Sequence, residues 1–105
     1  MLCVGPTLAD KEISRLREQY EFAPEIEEEA EWYSAMAHPI RLKIMRILAG
    51  NGAVCVCDLR DILGVSSSVV SQHLAKLKAY RFVNNRRDGQ TVFYSLGEHP
   101  FLSGL

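Results

Sequence analysis

Residues 58–80, DLRDILGVSSSVVSQHLAKLKAY, contain the pattern that decides the fold. Two short helical segments, Asp58 to Leu63 and Ser67 to Tyr80, flank a three-residue turn. Gly64 gives that turn its backbone freedom, and Ser66 is a natural N-cap for the second segment. The second segment carries apolar residues at i, i+4 and i+7, which bury one face: Val70, Leu74 and Leu77. The stretch therefore predicts a helix-turn-helix.

The residues that follow predict a β-hairpin. The run from Phe82 to Arg87 faces the run from Thr91 to Leu96 across Asp88-Gly89, a pair typical of tight hairpin turns. A helix-turn-helix followed by a basic hairpin is a winged-helix arrangement, so the fold class expected is mainly α with a small β-hairpin.

The chain before residue 58 predicts three more helices. The segment from Thr7 to Phe22 has apolar residues at roughly helical spacing, with a possible cap at Thr7 or Asp10. Pro24 begins a second helix, and His38-Pro39 separates it from a third, which ends at Gly50-Asn51-Gly52. The last nine residues are too few for a long final helix. We expect one winged-helix domain over residues 1–105: an arm and helix at 1–22, a helical core at 23–80 with the helix-turn-helix at 58–80, the wing at 82–96 and a short tail at 97–105.

Composition excludes several classes of protein. With 105 residues, 48% of them hydrophobic and 24% charged, the chain resembles one ordinary globular domain. It contains no apolar run of about 18 residues and no secretory signal, so we expect a cytoplasmic protein without a membrane partner. Its three cysteines then argue against a disulfide framework, because the cytosol is reducing.

The charge distribution points to a polyanionic partner. Residues 1–31 hold nine acidic and three basic residues, a net charge of −6, whereas the remainder holds four acidic and nine basic residues, a net charge of +5. Between Ser66 and Arg87 there are five basic residues and no acidic one. A solvated basic face is the simpler interpretation, but beside a helix-turn-helix the pattern favours double-stranded DNA.

The exposed face of the second helix and the hairpin supply the candidate DNA contacts. Short hydroxyl and amide side chains reach base edges in the major groove, Gln72 is suited to adenine, and Lys76 to phosphates. At the wing, the residues flanking the tip suit a narrow minor groove. The candidate contacts are Ser67, Ser68, Ser71, Gln72, His73, Lys76, Arg86, Arg87 and Gln90.

Cys55-Val56-Cys57 is the candidate metal-binding motif. Residues two apart on one helix point about 200° apart, so both sulfurs reach one ion only if Cys55 precedes the helix. With Cys55 at the N-cap and Cys57 in the first turn the sulfurs converge, and the helix dipole favours thiolate, the form that binds metal. The alternative is that both cysteines are small core residues.

These residues resemble the metal-sensing repressors of the ArsR/SmtB family. The resemblance rests on Cys55-Val56-Cys57-Asp58-Leu59, Leu63-Gly64-Val65-Ser66 and Ser71-Gln72-His73-Leu74, and extends over about residues 35–96, from Ala37-His38-Pro39-Ile40-Arg41 to Tyr94-Ser95-Leu96. It implies a homodimer that binds operator DNA without metal and leaves it when metal binds. It further implies that Cys55 and Cys57 are ligands and that Cys3, by its location in the N-terminal arm, is a third.

The chain departs from the family pattern in its ligands and at its C-terminus. In the family's cadmium sensors the N-terminal arm usually offers two cysteines, whereas the arm of this chain offers only Cys3. The family's zinc sensors carry their ligands on a final dimer helix that this sequence does not include. We therefore expect dimerisation to depend more on Thr7 to Ala37. Three sulfurs suit thiophilic ions that accept trigonal coordination, namely As(III), Pb(II) or Cd(II).

Enzymatic catalysis and a redox switch are the alternatives to metal sensing. An enzyme with a catalytic cofactor is not expected, because His38, His73 and His99 have no neighbouring nucleophile or carboxylate arrangement. A repressor switched by a disulfide between Cys3 and the cysteine pair is the alternative.

Overall fold

The computed structural model describes Gly5 and residues 7–104 of the chain. The chain divides into two compact units, Met1–Ala30 and Glu31–Leu105. No helix in this described part is long and apolar enough to cross a membrane. A single domain over residues 1–105 stays a prediction.

The first unit contains helix α1 (Asp10–Glu21) and the start of helix α2 (Pro24–Met36). The expected cap at Thr7 or Asp10 is wrong, because Ala9 occupies the N-cap position and Asp10 is already helical. Asp10 and Glu12 in the first turn instead place carboxylates at the positive end of the helix dipole. Pro24 begins α2, as its fixed φ predicts.

The second unit contains three further helices, and each has a recognisable start. Helix α3 (Pro39–Asn51) follows His38, whose Nδ1 accepts a hydrogen bond from the Ile40 amide at 3.1 Å. Helix α4 (Val56–Leu63) starts two residues before the segment predicted from Asp58, as the N-cap position expected for Cys55 requires, and it ends at Gly64 in the left-handed conformation. Helix α5 (Ser67–Ala79) is capped by Ser66, whose hydroxyl accepts a hydrogen bond from the Val69 amide at 3.2 Å. The helix-turn-helix prediction is confirmed.

The hairpin belongs to a three-stranded antiparallel sheet. Strands β2 (Val83–Asp88) and β3 (Thr91–Leu96) form the predicted wing, and a two-residue strand, β1 (Val54–Cys55), pairs with the other edge of β3. Asp88 pairs with Thr91, so the turn is Gly89-Gln90, one residue later than predicted. Gly89 has a φ of +64°, which suits the first position of a two-residue hairpin loop.

The core of the second unit joins the helices to the wing. The buried residues of this core come from α3, α4, α5 and the start of the wing: Ile44, Met45, Leu48, Leu59, Val70, Leu74, Leu77, Phe82 and Val83. The three from α5 are the apolar residues predicted to be buried. A short 3-10 helix, Pro100–Gly104, follows the wing and packs Phe101 against Phe82, with the ring centroids 5.6 Å apart. The winged-helix fold class is confirmed.

Candidate metal centre and nucleic-acid interface

The two cysteines of the Cys55-Val56-Cys57 motif converge at the start of α4. Cys55 is the N-cap residue, with an extended backbone at φ −77° and ψ 157°, and Cys57 lies in the first turn. Their Sγ atoms are 2.7 Å apart and share a hydrogen bond. Cys55 is buried and Cys57 is exposed, and both are free thiols. The position predicted for Cys55 before the helix is therefore the one observed.

Asp58 adds a third candidate ligand. Its carboxylate and the two sulfurs all lie within 4.8 Å of one another. Two thiolates on one tetrahedral ion are about 3.7 Å apart, so the sulfurs need to separate by about 1 Å to bind one ion. Cys57 is exposed at a helix start, so its side chain has room to change rotamer and move its sulfur away from that of Cys55. The donor set of two soft sulfurs and one carboxylate fits a thiophilic cation.

The protonation of Cys55 differs from the expectation. The helix dipole predicts a thiolate, but the hydrogen bond with Cys57 raises the pKa of Cys55 above its usual value, and burial acts in the same direction. The Asp58 amide, which donates to the Cys55 sulfur at 3.3 Å, opposes this change without reversing it. Ion binding at this site therefore has to release a proton from Cys55.

Cys55 also belongs to the sheet, which sequence reasoning missed. In β1, Val54 pairs with Tyr94 and Cys55 pairs with Phe93 of the wing. The guanidinium of Arg86 lies over the same Phe93 ring, 5.0 Å from its centroid. A two-residue strand has no periodicity that a sequence reveals. The predicted third ligand, Cys3, lies outside the described residues.

Most of the predicted DNA contacts lie on exposed surface. On α5, every one of the predicted side chains except that of His73 is exposed: Ser67, Ser68, Ser71, Gln72 and Lys76. On the wing, Arg86, Arg87 and Gln90 are exposed, with Gln90 in the turn. Lys76 also lies over the Tyr80 ring, with its Nζ 5.5 Å from the centroid.

His73 differs from the other predicted contacts. It is half-buried, its Nδ1 lies 3.3 Å from Nη1 of Arg41, and its ring centroid is 4.3 Å from that of His38. Arg41 also donates from Nε to the carbonyl oxygen of Ala35. The start of α3 and the middle of α5 are therefore joined through Arg41, a role that no sequence motif indicates.

One cavity joins the cysteine pair to the predicted DNA-contacting surface. It has a volume of about 360 Å³. Its walls come from the start of α4, the first turns of α5 and the wing, and include Cys57, Arg60, Ser67, Ser71 and Gln90. A group bound at the sulfurs therefore lies beside side chains of both elements predicted to contact DNA.

Comparison with known proteins assigns the family. A sequence model described as "Bacterial regulatory protein, arsR family" matches residues 38–85. Over 102 residues the chain is 36% identical to a transcriptional repressor SmtB homolog from a Synechocystis species, covering 97% of this chain and 76% of that protein. The chain belongs to the arsR family. It is accordingly a DNA-binding transcriptional repressor and not an enzyme.

Other relatives in the arsR family extend the similarity. A cadmium resistance regulatory protein CadC homolog from Staphylococcus aureus is 35% identical over 69 residues, which cover 66% of this chain and 57% of that protein. Among solved structures, HlyU from Vibrio cholerae superposes with a TM-score of 0.71 at 34% identity, covering 79% of this chain and 88% of that one. A second structure, of reduced HlyU, gives 0.67 at 35% identity, covering 78% and 88%. The winged-helix architecture is therefore shared with experimentally solved regulators.

Proposed function

We propose that this arsR-family repressor is metal-responsive: a homodimer binds double-stranded operator DNA in the absence of metal and releases it when a thiophilic ion binds at Cys55 and Cys57. The observation that carries the proposal is the convergence of the two sulfurs at the start of α4. The alternative, that both cysteines are small core residues, does not fit Cys57, which is exposed and lines the cavity beside α5 and the wing.

The donor set defines the class of ion. Cys55 and Cys57 supply two soft sulfurs, and the third ligand is the Asp58 carboxylate or, as the sequence predicts, Cys3. Three ligands of this kind suit Cd(II), Pb(II) or As(III) better than structural Zn(II), which prefers four. The similarity to a cadmium resistance regulator supports the same class.

The DNA-binding half of the proposal rests on α5 and the wing. We assign base contacts to Ser67, Ser68, Ser71 and Gln72, because their exposed side chains lie on the first turns of the helix that enters the major groove. Lys76 contacts phosphate, and Arg86, Arg87 and Gln90 follow the minor groove. His73, half-buried against Arg41, contributes by holding α5 in position.

The decisive experiment is an ion-by-ion titration of the repressor on its operator, with thiolate-to-metal charge-transfer absorption recorded in the same cuvette. We expect the absorption and the release of DNA to rise together for at least one of the three ions. Cys57→Ser should abolish both and leave metal-free DNA binding unchanged, because a hydroxyl is a poor ligand for soft ions. Absorption without release of DNA would reduce the site to a structural or scavenging role.

Asp58→Asn tests the third ligand, with Asp61→Asn as its matched control. Both residues are exposed carboxylates of α4, but only Asp58 lies near the sulfurs. We expect weaker ion binding for Asp58→Asn and unchanged binding for Asp61→Asn. Equal affinities in the two variants would exclude Asp58 as a ligand and favour Cys3.

Oxidation is the second candidate function, because the sulfurs are already in contact and a relative has been solved in a form described as reduced. In the version predicted from the sequence, hydrogen peroxide oxidises the thiols of Cys3 and of one cysteine of the pair to a disulfide and is itself reduced to two molecules of water. Peroxide titration of the metal-free protein separates the two functions, since only the redox switch releases DNA without metal.

A further inference from the structure

An apolar groove on the second unit remains outside the proposed metal and DNA sites. It has a volume of about 860 Å³ and is formed by the end of α2, one face of α3 and the end of α4. Leu42 and Ile62 in its walls are 40% and 60% exposed. Lys43 and Arg46 line the same groove and make it basic. In the described residues the single ion pair is Arg60 with Asp61, so neither cation has a carboxylate partner.

Helix α1 has the complementary surface. None of its residues is buried, and Ile13, Leu16 and Tyr20 lie within an arc of about 60° on one face. At the same helical spacing the charged residues beside this stripe are three acids and one base: Asp10, Glu12, Glu21 and Arg17. The opposite face carries Lys11, Arg15 and Glu18. An apolar stripe with a mainly acidic border matches an apolar groove with a basic one.

The link between α1 and α2 limits which copy of α1 can fill the groove. Only Phe22 and Ala23 separate the two helices. The groove begins at Met36, the last of the 13 residues of α2, about 18 Å from the start of that helix. Since α1 has 12 residues and is itself about 18 Å long, its own chain brings no more than its first turn to the groove.

We infer that the groove formed by α2, α3 and α4 binds the amphipathic face of α1 from a second copy of this chain. The inference rests on the homodimer of the proposed function and specifies its contact: the apolar stripe of one protomer fills the groove of the other, and the acidic border faces Lys43 and Arg46. Each dimer then contains two such contacts, related by the twofold axis.

Charge reversal in the full-length chain tests the contact. One variant changes Asp10, Glu12 and Glu21 to Lys, and the other changes Lys43 and Arg46 to Glu. We expect each variant alone to dimerise about tenfold more weakly or worse in sedimentation equilibrium, because like charges then face each other in both contacts. An equimolar mixture should regain the wild-type dissociation constant, since both contacts of the heterodimer are again complementary.

Lys11→Glu with Arg15→Glu is the matched control, because it changes the net charge as much as the groove variant does but on the opposite face of α1. Mixed with the α1 variant, it should restore only one of the two contacts and leave association about threefold weaker than wild type. Two weakened variants that do not rescue each other, or variants that dimerise normally, would overturn the inference. A wild-type chain that stays monomeric would instead contradict the homodimer itself.

Discussion

His73 shows how one side chain acquires a role that its sequence position does not reveal. It follows Gln72 in the helix that faces DNA, yet it points towards α3, where Arg41 and His38 lie beside it. Burial, followed by the charges of His38 and Arg41, lowers the pKa of His73 below its usual value of 6.5. The neutral ring accepts the Arg41 hydrogen bond, whereas a protonated ring repels the guanidinium.

Acid should therefore destabilise the fold through His73. The unfolded chain binds a proton at His73 near pH 6.5, and the folded chain binds it only at a lower pH, so the free energy of unfolding decreases as the pH falls below about 6.5. The free energy of unfolding stops decreasing once the pH is below the pKa of His73 in the folded chain, because both states then bind the proton. His73→Gln removes the titration but keeps an acceptor for Arg41, and urea unfolding between pH 7 and pH 5 should then change less than in the wild type. Parallel pH curves would assign the acid sensitivity to another group.

Gly97 is required by close packing at the end of the wing. A Cβ atom there would collide with the backbone carbonyl oxygen of Arg81, and the Gly97 amide donates to the Phe82 oxygen at 2.8 Å. Gly97→Ala should lower the free energy of unfolding by about 1 to 3 kcal/mol, because backbone has to move to admit the methyl group.

Gly50→Ala is the control for that substitution. Gly50 lies within α3, and a Cβ atom there meets nothing within 4 Å. This variant should be neutral or stabilising by about 0.5 to 1 kcal/mol in the same urea titration. Similar losses in both variants would show that glycine-to-alanine changes act on this chain by some route other than the Arg81 contact.

The helices were predictable because each is long enough to show apolar periodicity or has a clear first residue. Pro24, Pro39 and Ser66 mark three of the starts. The elements that escaped prediction are those fixed by tertiary contact. Strand β1 exists because Val54 and Cys55 pair with β3, and the hairpin turn is shifted by one residue because Asp88 pairs with Thr91. The same limit applies to the site, since the motif predicts the cysteine pair but the pairing with the wing is a long-range contact.

Helix α5 should contact DNA in two separable ways. Gln72→Ala should cost about 1 to 3 kcal/mol at one base position, because an amide pairs with adenine through two hydrogen bonds. Lys76→Ala should weaken binding to all sequences alike and lower the slope of the salt dependence by about 1, because one phosphate contact is lost. A binding-selection experiment on an imperfect palindrome with half-sites about 34 Å apart distinguishes the two effects. An unchanged base preference for Gln72→Ala would exclude that residue from readout.

At the level of the whole protein, the proposed function links metal binding and operator binding through a single coupling free energy. The cysteine pair, α5 and the wing line one cavity, and the proposed function requires that a metal-bound arrangement of this cavity compete with a DNA-bound one. Shifting the population of the two arrangements from 1:99 to 99:1 takes a difference in metal binding of about 5.5 kcal/mol.

Operator DNA should accordingly weaken metal binding by the same factor by which metal weakens DNA binding. Calorimetric titration of the ion into the free repressor and into its complex with saturating operator measures that factor directly. Cys57→Ser, which removes a ligand, serves as the blank for heats unrelated to the site. Identical ion affinities in the two titrations would show that the cysteines do not regulate DNA binding.

The aromatic cluster beside the wing gives the protein an optical probe of its own. Trp32 is the single tryptophan of the sequence, and its ring lies edge to face with His99 at 4.5 Å and tilted against Phe101 at 5.9 Å. Its ultraviolet emission therefore reports whether the final 3-10 helix is docked on α2. Trp32 lines neither the cysteine cavity nor the surface assigned to DNA. A change of its emission on adding metal would therefore show that metal binding at α4 alters the packing around the 3-10 helix.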